Sequence, residues 1–170
     1  MCGRLRRKVC REAQSKHVKI DPTRSTPAGY WRFASEYFQA ANAVESSYPR
    51  RIFFPTLQLY GQSIELALKA FLLKRGASHE EIYNLRHNLS GILGQARKRR
   101  LGMEVKLSNN DVALIRLLSK SYSDQSFRYI VTGVTQIPLP SSIAPICEHL
   151  VEGLEQYCTG HSQQAHSKHR

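Results

Sequence analysis

The chain has 170 residues, and its 25 Lys and Arg against 13 Asp and Glu give it a formal charge of +12. That length fits a single domain large enough for a proper core, and no stretch reaches the ~18 apolar residues of a membrane helix. The charge favours a nucleic acid or another polyanion as partner through the phosphate term.

The excess is uneven. Residues 1–27 hold eight basic and two acidic side chains, residues 159–170 hold two basic and none acidic, and residues 28–158 hold fifteen and eleven. This predicts a basic N-terminal tail over 1–27, disordered, a folded body over 28–158 and a His-rich C-terminal tail over 159–170. The first stretch lacks the apolar run of a secretory signal, so a cytoplasmic chain is expected. Asp21-Pro22 and Thr26-Pro27 mark the boundary.

The body reads as an all-α bundle of about five helices. Gly29 to Ser46 forms the first, with Trp31, Ala34, Tyr37, Phe38, Ala41 and Val44 at helical spacing. Its rings can stack on bases, but aromatic residues at this spacing more often pack a core. The short link through Pro49 predicts an antiparallel partner.

That partner, Pro55 to Arg75, is the most apolar helix. Leu57, Tyr60, Gly61, Ile64, Ala67, Leu68 and Phe71 keep the 3.6-residue period, and Leu59, Leu66, Ala70 and Leu73 widen the arc. Only Gln58, Gln62, Glu65 and Lys69 remain as a narrow polar line. Glu65 and Lys69 stand in the favourable i,i+4 order, a solvated ion pair on the simplest reading, or part of a site.

Gly76 suits a helix end, and Ser78 with Glu81 forms a capping box opening a short helix to about Leu85. His79 is expected to be exposed in its first turn. Asn88 caps the next helix, which buries Leu89, Ile92, Leu93 and Ala96. His87 thereby stands at a helix mouth, where N–H groups favour anions. There it either relays a proton or bonds one helix to the next. Arg97, Lys98, Arg99 and Arg100 end that helix before Gly102. They are a solvated helix end or a phosphate contact.

Ser108 and Asp111 cap a helix running to about Tyr122, with Val112, Ile115, Leu118 and Tyr122 on one side. The stretch from Ser123 to Leu139 is less regular, and Arg128 lies there between Phe127 and Tyr129. Its guanidinium can reach back to Glu65 or bind a phosphate. Ser141 or Ser142 then caps a last helix to about Tyr157, with Ile143, Ile146, Leu150, Val151 and Leu154 inward.

Ile64-Glu65-Leu66-Ala67-Leu68-Lys69-Ala70-Phe71-Leu72-Leu73, then Gly76, His87-Asn88-Leu89, Tyr122 and Phe127-Arg128-Tyr129 together resemble the HEPN family (higher eukaryotes and prokaryotes nucleotide-binding). The likeness is to its branch with a signature of the ELxLK, GHDL and RY type, over residues 30–158. Glu65, Lys69, His87 and Arg128 match polar positions of that signature, while Arg86 and Asn88 replace its Gly and Asp. The resemblance implies a helical bundle that binds RNA or nucleotides, often as a homodimer. Some members are toxins or defence components with a nucleotidyltransferase-type antitoxin partner. RNase branches carry Arg-x(4-6)-His late in the domain, whereas here that spacing occurs only from Arg11 to His17. Binding is therefore expected ahead of cleavage, with a non-catalytic helical interaction module as the alternative.

Cys2, Cys10, Cys147 and Cys158 form no Cys-x-x-Cys pair, so no zinc site is expected and reduced thiols are. No phosphate-cradling Gly loop, Gly-x-Ser-x-Gly elbow or His-Glu-x-x-His is present, and no cofactor is predicted.

Overall fold

The computed structural model describes residues 25–49, 53–124, 127 and 136–160. Residues 1–24 and 161–170 of the two predicted tails, and Arg128 with its expected reach to Glu65, lie outside the described residues, while Pro27 and Thr159, assigned to the tails, belong to helices. What is described is all-α, with six α-helices and no strand among those residues.

α1 spans Pro27–Ser47, with Pro27 in its first turn and the Thr26 hydroxyl accepting from the Gly29 amide. α2, Phe54–Lys74, runs back antiparallel to it. Near one end the Tyr60 hydroxyl meets Asn42 Oδ1 at 2.7 Å, and further along α2 the Ser63 hydroxyl donates to the Ala34 carbonyl at 2.7 Å. Small residues let the two helices close: Ala34 and Ala41 are the buried residues of α1. Tyr37, expected inward, is exposed instead. Alanines rather than the ring make that contact.

α2 ends where Gly76 takes φ +82°, and Ala77 N–H reaches back to the Leu72 carbonyl at 2.9 Å. This is a left-handed turn that glycine makes without steric cost. α3, His79–Asn84, opens on the reciprocal Ser78 and Glu81 bonds. α4, Leu89–Lys98, is capped by Asn88 Oδ1 at 3.0 Å from the Gly91 amide. A single turn of 3-10 helix, Leu101–Met103, leads to α5, Asn109–Ser123, which starts on the Ser108 and Asp111 box.

α6 spans Pro140–Thr159 and starts slightly ahead of the two serines expected to cap it. Pro140 fills its first position, where a missing N–H costs nothing. The indole N–H of Trp31 donates to the Val151 carbonyl at 2.7 Å and ties α1 to α6. Cys147 and Cys158 are buried and unbridged. Burial pushes both thiols up to about 12; a Ser63 hydrogen bond opposes it at Cys147 and the Lys74 charge at Cys158.

α2 packs against each of the other five helices. Thirteen of its 21 residues are buried, and two of its three charged ones, Glu65 and Lys69, are among them. Among the described residues no helix is long and apolar enough to cross a membrane.

Candidate functional site

Glu65 is the centre of a polar cluster inside this packing. It is 2 % exposed and Lys69 7 %, so the pair expected in water is instead closed off from it. The reason is that the polar line of α2 lies under the α3–α4 link and α5. Lys69 Nζ donates to Glu65 Oε1 at 2.6 Å and to the Arg86 carbonyl at 2.7 Å. The Tyr122 hydroxyl, from α5, lies 2.8 Å from Glu65 Oε2 and 2.7 Å from Gln62 Oε1. Buried charges need such partners.

His87 completes the group from the link between α3 and α4. Its Nδ1 is 3.0 Å from Glu65 Oε2, and its carbonyl accepts from the Ser123 hydroxyl at 3.0 Å. The carboxylate accepts from Nδ1–H, and in that tautomer the lone pair lies on Nε2, on the ring edge away from Glu65. The ring stands edge-on to Tyr122, centroids 6.2 Å apart.

His87 lines an open cavity of about 360 Å³, together with Lys69, Arg86, Tyr30, His79 and Tyr83. The cations outnumber the anions on these walls. Arg86 has φ +47°, a left-handed conformation costly for a residue with a Cβ. No hydrogen bond or ion pair engages its guanidinium among the described residues. His79 is no exposed first-turn residue. It is half-buried, and its Nε2 N–H donates to the Ser25 carbonyl at 2.8 Å. The Tyr30 phenol is raised above its ordinary value, by burial first, with the Glu65 charge adding and a Ser25 hydrogen bond opposing.

Of the residues singled out from sequence, Glu65, Lys69 and His87 meet. The basic run does not join them, because it lies at the other end of the ten-residue α4, about 15 Å away along the axis. Arg97, Lys98 and Arg100 are exposed there, and Arg99 donates to Glu81 Oε1 at 2.9 Å. Tyr30, Tyr83 and Arg86 were not picked out from sequence. For Arg86 the signals are its place beside His87 and its departure from the glycine of the signature. Among the described residues no group of three or more His, Cys, Asp and Glu is placed to hold a metal ion.

Compared with protein-family models, with curated proteins and with solved structures, the chain matches none.

Proposed function

We propose that this chain is an HEPN-like RNA-binding domain whose cavity at His87 receives a phosphate of single-stranded RNA. One observation carries the reading. Nδ1 of His87 lies 3.0 Å from Glu65 Oε2, and the ring lines a cavity whose charged walls are Lys69 and Arg86. A ribose hydroxyl suits the free nitrogen of the neutral ring, and the Arg86 guanidinium suits the anionic phosphodiester oxygens.

Arg86 and Asn88 support the resemblance although they depart from its letters. At φ +47° position 86 favours glycine, and the Asn88 side chain caps α4 as an aspartate would. Arg86 holds that conformation at a backbone cost of about 1–2 kcal/mol, and its side chain lines the cavity. On the same resemblance the chain acts as a toxin or defence component, with a homodimeric assembly or a nucleotidyltransferase-type antitoxin as partner.

A second reading, the non-catalytic interaction module, is favoured by the closure of the network. Lys69 is engaged by Glu65 and a carbonyl, and Glu65 by three side chains.

The test is fluorescence anisotropy with labelled mixed-sequence single-stranded RNA at physiological salt. Wild type is compared with Arg86→Ala and His87→Ala, each checked for folding by circular dichroism. Binding that weakens on either substitution supports the proposal. Failure of the folded wild type to retain RNA establishes the interaction module instead. Gel analysis of the same samples reads cleavage, and cutting lost in His87→Ala makes that imidazole the acid or base.

A further inference from the structure

A second cavity, of about 420 Å³, adjoins the first and is lined by Ser25, Thr26, Gly29, Tyr30, Phe33 and Leu66. We propose that it is a nucleobase subsite, so that the ligand is read as a nucleotide and not as a bare phosphate. This rests on the phosphate reading of the His87 cavity.

The two cavities border each other twice. Tyr30 lines both, and the His79 to Ser25 hydrogen bond joins a residue of the first to a residue of the second. Their chemistry is divided. The first holds Lys69, Arg86 and His87, whereas the second has no charged side chain. It has instead two aromatic rings, one leucine and two hydroxyl residues. Tyr30 and Phe33 stand three residues apart on α1, one above the other on the same face. Phe33 is 49 % exposed, a large ring left half in water. An anionic group beside a flat apolar ring with a polar edge is the composition of a nucleotide, and base stacking on aromatic side chains tolerates any of the four bases. The Thr26 oxygen accepts from the Gly29 amide, which leaves its proton to donate to a base edge. The volume lies within the range of small-ligand sites.

The experiment is a chemical-shift titration of the isotope-labelled full chain with ribose 5-phosphate and with adenosine and uridine monophosphates. The nucleotides are expected to bind about tenfold tighter than ribose 5-phosphate, the scale of one base stack. Phe33→Ala removes that advantage and leaves the ribose 5-phosphate affinity unchanged, while Phe33→Trp restores it. Phe33 is half exposed, so neither change threatens the fold. Equal affinities for nucleotide and ribose phosphate, or an advantage that survives Phe33→Ala, would overturn the base subsite and leave the phosphate site standing. No shift with any phosphate overturns both.

Discussion

Nζ of Lys69 lies 2.6 Å from Oε1 of Glu65, and neither side chain is more than a tenth exposed. An ion pair so enclosed is held together by mutual need more than by net gain, since each charge lost water on folding. Lys69→Met leaves the carboxylate with only His87 and Tyr122, and is expected to cost about 3–5 kcal/mol in urea unfolding. Glu65→Gln strands the ammonium similarly. The double variant is expected to fall short of the sum by at least about 1 kcal/mol, the mark of coupled neighbours.

Arg86→Gly should move stability and binding in opposite directions. Relief of the left-handed backbone at φ +47°, set against glycine's greater chain entropy, raises stability by up to about 1 kcal/mol. RNA affinity falls because the guanidinium is gone. Thermal unfolding and anisotropy on one preparation read both, and a stabilised variant with undiminished binding would remove Arg86 from the site.

The helices were legible because their signals are local. Ser78 with Glu81, Ser108 with Asp111, and Asn88 each place a helix start within a residue or two. The burial of Glu65 and Lys69 was not legible, because an i,i+4 acid and base look alike under water and under another helix. What buries them is the turn at Arg86 and His87, and Tyr122 brings its hydroxyl to Glu65 across 57 residues. Tyr122 was read as a packing residue from its helical spacing, and its ring does pack. Its oxygen is the part that spacing leaves unread. The contact that draws His79 inward is equally remote in sequence, its partner Ser25 being 54 residues away.

Gly61 and Gly94 both sit within helices, yet alanine should act oppositely at the two. A Cβ on Gly61 would come 2.5 Å from Cδ2 of Tyr122, a buried ring hydrogen-bonded to Glu65. Gly61→Ala is expected to cost about 1–3 kcal/mol. A Cβ on Gly94 meets nothing within 4 Å. Gly94→Ala is expected to gain up to about 1 kcal/mol from helix propensity. Melting temperatures of the two variants decide it, and a stabilising Gly61→Ala would contradict the close packing of α2 on α5.

The buried thiols set an alkaline limit. Cys147 and Cys158 ionise at about 12 in the folded chain but near 9 once unfolded. The unfolded chain therefore loses protons first. Their contribution to stability is full below pH 9 and is lost as pH rises toward 12. Tyr60 adds to the same trend, its phenol raised by burial first and by its hydrogen bond to Glu45. Urea unfolding at a series of alkaline pH values should show the decline, and Cys147→Ala with Cys158→Ala should flatten it. Site-resolved alkylation at pH 8 should leave both thiols unlabelled until urea is added.

The packing of α2 against all five other helices also divides the cluster by its kinetics. Amide exchange along α2 around Glu65 and Lys69 is expected to require opening of the whole bundle, whereas the more exposed turn carrying Arg86 and His87 is expected to exchange sooner, once its bonds to Lys69, Glu65 and Ser123 break. A ligand gripped by Arg86 and His87 would slow exchange in that turn and leave the exchange of α2 as it was.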